Sequence, residues 1–357
     1  QLELVATDLG FVSDPLFMYI PQAIGFTVAR LLGLGMYPML QAGRLMSYGL
    51  FVLCMFLSIR MLPFGKRLFM ILGLMPAVLV QVISITRDAM IIDASFLIIA
   101  KVLQMNYHEE KRRWTDWLTV LVLSVILAPC KMIYLPVSCL FLMVAYRQFV
   151  LPKGKKGTRV LFCLIGIAVA AIAVFAVAKW NVIRGILFAD SISLFNTPAY
   201  SLRIMLEDPI HTLYVLGNTL RNHSGRLLVN AIQLFDIELG STDGITLTVF
   251  ILLLMEVCSA DTTHRLHVAE RSYMLLVSLG VFLLLALAAF RWTPVEMNVL
   301  LGLQGRYLIP VLPLVLLAGY RNRVVRISPD ATIVTKIGCC IFPAISLMNM
   351  YLWSLTK

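Results

Sequence analysis

Charge is scarce in this chain: 14% of its 357 residues are charged against 60% hydrophobic, and the mean hydropathy is +0.89. That composition excludes a soluble domain of this length and indicates a polytopic membrane protein. Histidine is thin and scattered, at His108, His211, His223, His264 and His267. The seven cysteines, Cys339-Cys340 included, lack metal-ligand spacing and fall mostly in apolar runs, where a thiol is a small hydrophobe. No metal cluster is therefore readable, and His264 and His267 are expected to be surface residues. Internal repeats, low-complexity tracts and a separate soluble domain are absent too. The net charge of +11 is accounted for by cytoplasmic loops facing anionic lipid, so no nucleic-acid partner is implied.

What is present is a succession of apolar runs, of roughly 13 to 21 residues; at about 1.5 Å rise per residue the longer ones cross a hydrocarbon core of about 30 Å. They cover 42–61, 68–85, 89–105, 117–130, 133–150, 160–178, 245–257, 273–290, 307–319 and 333–353. The expected fold is a single all-α integral membrane domain over 1–357, a transmembrane bundle of about ten spanning helices.

Lys and Arg set its orientation, because short cytoplasmic loops hold an excess of both. One set of alternate loops carries Arg60, Lys66, Arg67, Lys111, Arg112, Arg113, Arg147, Lys153, Lys155, Lys156, Arg159, Arg265, Arg271, Arg321, Arg323 and Arg326. The other short loops hold only Arg87, Lys131, Arg291 and Arg306. The basic set is assigned to the cytoplasm, which places residues 1–40 outside. Within them, 15–34 carries Pro21, Gln22 and Arg30 and is expected to lie along the outer interface as an amphipathic helix. The chain starts at Gln1 rather than Met, so a first transmembrane helix and part of an external loop are expected upstream. A second external segment, 180–244, is expected to form a helical cap, with Asp208-Pro209 as a helix start.

Four cations against the positive-inside bias, at one mouth of a bundle, point to an anionic ligand. A phosphate or diphosphate leaving group gathers negative charge that preorganised Arg and Lys stabilise in a site partly closed to water. Arg306, Lys131, Arg87 and Arg291 are the candidate phosphate-binding residues. An acceptor hydroxyl needs a carboxylate to take its proton or hold it, and Asp88 and Asp93 are the membrane-embedded candidates. Each has a plainer reading. Arg306 could snorkel at the boundary, Lys131 could solvate a hairpin turn, and Arg87 and Asp88 could neutralise each other. Asp93 could be a buried partner of Lys131 or Arg306, since an ionisable group inside a span is costly unless it faces a partner or a cavity.

Several motifs carry a resemblance. Pro15-Leu16-Phe17-Met18-Tyr19-Ile20-Pro21-Gln22-Ala23, Ala42-Gly43-Arg44-Leu45, Arg60-Met61-Leu62-Pro63-Phe64-Gly65-Lys66 and Lys131-Met132-Ile133-Tyr134-Leu135-Pro136 are four of them. The most specific is Gln304-Gly305-Arg306-Tyr307-Leu308-Ile309-Pro310, following Trp292-Thr293-Pro294. Over nearly its whole length the chain resembles the bacterial multi-spanning family catalogued as domain of unknown function 2142. That family resembles the membrane glycosyltransferases of the C-type fold, which use polyprenyl-phosphate sugars on the outer side of the membrane.

The resemblance implies a bacterial cytoplasmic-membrane transferase with an extracytoplasmic active face. It implies Gln304, Tyr307 and Tyr134 as substrate-binding residues and an acidic catalytic residue in the first external loop. The family's acidic pair would fall before Gln1, and Glu3, Asp8 and Asp14 are what this sequence retains there, with Asp14 as the candidate. A divalent metal, Mg or Mn, is compatible with a phosphate-bearing donor, though no ligand cluster argues for it.

Three functions remain in order of preference. The first is a glycosyltransferase moving a sugar from a polyprenyl-phosphate carrier to a cell-envelope glycan or teichoic-acid-like polymer, with the lipid bilayer, the lipid-linked sugar and the glycan acceptor as partners. The second is a transporter or flippase of a lipid-linked or anionic substrate, for which broken helices and pseudo-symmetric halves are expected. The third is a non-catalytic scaffold, which has no need of charges at helix mouths.

Overall fold

The computed structural model describes residues 16–107, 114–149, 191–192, 197–233, 242–259, 266–320 and 341. A 3-10 turn, Leu16–Tyr19, leads into α1 (Ile20–Leu31), and the chain reverses at Gly33, φ +67°, into α2 (Met36–Met61). Next come α3 (Lys66–Gly73), α4 (Pro76–Ile83), α5 (Asp88–Tyr107) and α6 (Trp114–Cys130). A 3-10 turn, Met132–Tyr134, joins α6 to α7 (Leu135–Ser138) and α8 (Phe141–Phe149). Beyond a small antiparallel pair, β1 (Ser191–Ile192) and β2 (Pro198–Ala199), lie α9 (Leu202–Glu207), α10 (Pro209–Gln233), α11 (Thr242–Ser259) and α12 (Val268–Phe290). A 3-10 turn, Gly305–Val311, runs directly into α13 (Leu312–Gly319). The all-helical expectation holds apart from the two short strands.

The expected count of about ten spans is not confirmed among the described residues. Among the described residues α2 and α12 are long and apolar enough to cross a membrane, and α3 with α4 adds one more if that bent pair is a single span. The run 68–85 breaks at Leu74-Met75, where α3 and α4 meet at 60°. Pro76 is the reason: it opens α4 without an N–H to give, and the residue before a proline is pushed out of the helical region, as Met75 is at ψ 135°. The run 133–150 is divided by a turn at Cys139-Leu140, between α7 and α8, while Leu135 before Pro136 keeps helical angles, φ −50° and ψ −36°. The runs 160–178 and 333–353 lie outside the described residues, except for Ile341.

At the centre stands α5, packed against α2, α4, α6, α7, α8 and the Gly305–Val311 turn. Ile91, Ile92, Phe96, Ile98, Ile99 and Leu103 of this helix belong to the main apolar core, with Phe69, Leu72, Val78, Val137 and Leu314 around them. Its twenty residues place Asp88 and Tyr107 about 30 Å apart, at opposite ends of the core.

The segment 15–34, expected at the interface, forms α1 from Ile20, and α1 folds back along the first half of α2. Buried Gln22 donates from Nε2 to Ser47 Oγ at 3.1 Å, and Ser47 Oγ donates to Val82 O at 2.8 Å, tying α1, α2 and α4 together.

Within 180–244, where a helical cap is expected, the described residues form the helices α9 and α10. Asp208-Pro209 starts α10 as expected: Asp208 Oδ1 accepts from the backbone N–H of His211 at 2.9 Å. A second apolar cluster sits beneath, where Tyr200, Met205 and Val215 pack on Ala286, Ala289 and Phe290 at the end of α12.

Candidate functional site

The N-terminal end of α5 gathers most of the singled-out residues. Pro129 lies in the last turn of α6, and Lys131 follows in extended conformation, φ −166° and ψ 106°, between two helix ends. The Lys131 ammonium stands 3.9 Å from Asp88 Oδ1, and 3.9 Å from the ring centroid of Tyr307. Arg306 places its guanidinium carbon 5.1 Å from the same ring and donates from Nη2 to the Tyr307 hydroxyl at 3.3 Å. Tyr134, buried beneath, donates its hydroxyl hydrogen to Tyr307 O at 2.8 Å. Asp88, Arg306 and Arg87 all act electrostatically on Tyr134. Arg87, Asp88, Lys131, Tyr134, Arg306 and Tyr307 are thus one assembly built from three stretches of chain.

Lys131 and Asp88 are loosely paired, and each is about four-fifths buried, with 16% and 20% of its side chain exposed. Stacking of Lys131 on Tyr307 contributes on the order of 0.5–2 kcal/mol. Arg306 Nε is buried and has no hydrogen-bond partner among the described residues. A buried N–H without an acceptor costs about 1–3 kcal/mol, so the site presents a donor already stripped of water beside two further cations.

The other candidates are placed differently. Gln304 is exposed at the head of the Gly305–Val311 turn. Arg291 ends α12, and no hydrogen bond or ion pair joins it to the assembly among the described residues. Asp93 is 4% exposed, and its Oδ1 has no hydrogen-bond partner among the described residues. It lies within electrostatic range of Cys54 on α2, while Lys131 reaches Asp88. The alternative pairings of Asp93 with Lys131 or Arg306 are not formed. Asp88 faces Lys131 across the gap between α5 and α6. Asp14 lies outside the described residues.

Gly305 sets the position of Arg306. The turn it opens presses directly on α10, and a Cβ at this position would collide with Leu227 O and Ala231 N. Nearby, the loop between α12 and the turn is pinned to α10: Asn218 Nδ2 donates to Asn298 O at 2.8 Å, and Thr219 Oγ1 accepts from Leu300 N at 2.8 Å. Tyr200 donates its hydroxyl hydrogen to Val295 O at 3.1 Å. Burial first, then the Asp208 carboxylate, raises the Tyr200 hydroxyl above its ordinary range, so it stays a donor there. Gly305→Ala is expected to force α10 off the turn and cost about 1–3 kcal/mol, read as a lowered melting temperature of the purified protein in detergent. Unchanged melting would show that the backbones can part freely.

At the opposite end of α5 a second polar group closes the bundle. Glu270 of α12 accepts from Asn106 Nδ2 at 2.8 Å, Tyr107 Oη at 2.7 Å and Arg147 Nη1 at 3.2 Å. Glu256 of α11 pairs with Arg67 at 3.4 Å and accepts from the Tyr320 hydroxyl at 3.4 Å, while Arg271 Nη2 donates to Tyr320 O at 2.8 Å. Arg67, Arg147 and Arg271 come from the loops assigned to the cytoplasm, and Arg87, Lys131 and Arg306 from the others, so the alternation read from the sequence sorts these six to opposite ends. Glu256 and Glu270 are not among the residues that the sequence pattern singles out. An ionisable group inside the run 245–257 is the available signal for Glu256.

Together, the long apolar helices, the bent apolar pair α3–α4 and charge sorted to two ends define a helical membrane protein. Residues 12–315 match the family described as "Predicted membrane protein (DUF2142)", and the chain belongs to it. No curated protein and no solved structure matches the chain. Among the described residues no group of three or more His, Cys, Asp or Glu could hold a metal ion.

Proposed function

We propose that this protein is a glycosyltransferase that takes a sugar from a polyprenyl-phosphate carrier at the extracytoplasmic face and delivers it to a cell-envelope glycan. The observation that carries the reading is the convergence of Arg87, Lys131 and Arg306 at one end of α5, with the buried Arg306 Nε lacking a hydrogen-bond partner among the described residues. In this reading the three cations hold the carrier phosphate and stabilise the charge that develops on it as the bond to the sugar breaks. Asp88, poised on Lys131, accepts the proton of the acceptor hydroxyl. Tyr307 holds Lys131 and Arg306 in place and Tyr134 anchors the Tyr307 backbone, and the resemblance to C-type transferases supports the assignment.

A second reading has one observation in its favour. The 60° break between α3 and α4 makes a discontinuous helix of the kind that transporters place at their substrate sites, which suits a flippase of a lipid-linked anion.

Transfer of radiolabelled sugar from polyprenyl-phosphate donors to envelope glycan, in membranes carrying the full-length protein, separates the two. Incorporation by the native protein and its loss in Asp88→Asn, with phosphate-lipid binding retained, is the expected result. Absence of transfer with every donor, despite binding of the phosphate lipid, would replace the transferase by the flippase.

A further inference from the structure

We infer that α10 rests on the membrane surface and inserts the outward side of its first three turns into the headgroup region beside α12. Ile210, Leu213 and Tyr214 are 80%, 67% and 57% exposed. At 100° per residue they fall on one stripe, continued by Gly217 and exposed Arg221 and directed away from buried Val215 and Thr219.

The position of this stripe is what identifies its occupant. Met205 and Val215, on the inward side of α9 and α10, pack against Ala286, Ala289 and Phe290, the last turns of the apolar span α12. The stripe therefore sits at the level where α12 leaves the hydrocarbon. Trp292, two residues past the end of α12, is 55% exposed at that same level. Tyr and Trp with an apolar body and a polar edge favour that depth, and Arg221 suits anionic headgroups. Below the stripe, the outward Leu276, Leu279 and Leu283 of α12 continue the apolar surface. A lipid leaflet covers both at once.

The test places an environment-sensitive fluorescent amino acid at Leu213, at Asn222 on another side of α10, or at Leu279 in α12. The full chain is reconstituted in phosphatidylethanolamine and phosphatidylglycerol vesicles, with nitroxide-labelled lipid and aqueous iodide as quenchers. The label at Leu279, quenched by lipid nitroxide, certifies insertion. The expected result is several-fold stronger quenching of Leu213 than of Asn222 by a nitroxide near the headgroup, with iodide favouring Asn222. Quenching of Leu213 by iodide alone would overturn the inference by showing the stripe in water. Shielding of Leu213 from both quenchers would overturn it in favour of a protein partner or a second copy.

Discussion

Replacing Arg306 by alanine is expected to lower sugar transfer by about a hundred- to a thousandfold, the loss that follows removal of one preorganised donor to developing negative charge. The guanidinium has one nitrogen committed to the Tyr307 hydroxyl at 3.3 Å and Nε buried without an acceptor among the described residues, so its strongest interaction is left for a ligand. Arg306→Lys is expected to recover part of the rate, because it restores the charge but not the forked donor geometry. Melting temperature should stay close to that of the native protein in both variants, since removing the guanidinium deletes an unsatisfied buried N–H along with one weak hydrogen bond. Transfer within a few-fold of native in Arg306→Ala would take this residue out of the site.

Glu270→Ala is expected to produce the largest loss of stability, about 3–5 kcal/mol, as befits removal of one partner from a buried ion pair. The carboxylate accepts from Asn106, Tyr107 and Arg147 and from the backbone N–H of His267, so one truncation removes a shared acceptor from four donors at the junction of α5, α8 and α12. Arg147 also lies over the Tyr107 ring at 4.6 Å, and it loses the Glu270 carboxylate while remaining three-quarters buried. Glu270→Gln should cost less, because an amide oxygen still accepts from Asn106 or Tyr107. Thermal unfolding in detergent, followed by far-ultraviolet circular dichroism, ranks native, Gln and Ala in that order. Co-melting of all three would mean that the cluster adds nothing to the packing around it.

Much of this arrangement is legible in the amino-acid sequence. The convergence of Arg87, Lys131 and Arg306 follows from charge alternation, because positive residues away from the basic loops must share the far end of the bundle. Asp208-Pro209 reads as a helix start because Asp supplies the acceptor and Pro gives up an N–H that the first turn cannot pair. The break at Pro76 escapes notice for a physical reason: hydropathy counts apolar side chains, whereas proline acts through the backbone. Apolarity thus reads 68–85 as one continuous helix where two helices meet at 60°.

Arg291 carries the same topological signal as Arg306 but ends α12 apart from the assembly, since charge patterning gives the level of a residue and not its azimuth. Asp93 shows the same gap: five residues beyond Asp88 turns it about 140° around α5, toward Cys54 and away from Lys131. The role of Gly305 is hidden because its neighbours, Leu227 and Ala231, belong to a helix far away in sequence.

The most direct measurement is equilibrium binding of undecaprenyl phosphate, and of undecaprenol as its uncharged counterpart, to the full-length protein in nanodiscs. The account predicts saturable binding of the phosphate, little retention of the alcohol, and weakening by at least an order of magnitude in Arg306→Ala and Lys131→Ala, about 1.4 kcal/mol or more. Equal retention of alcohol and phosphate, or phosphate binding untouched by both substitutions, would contradict the claim that this end of α5 is a phosphate site.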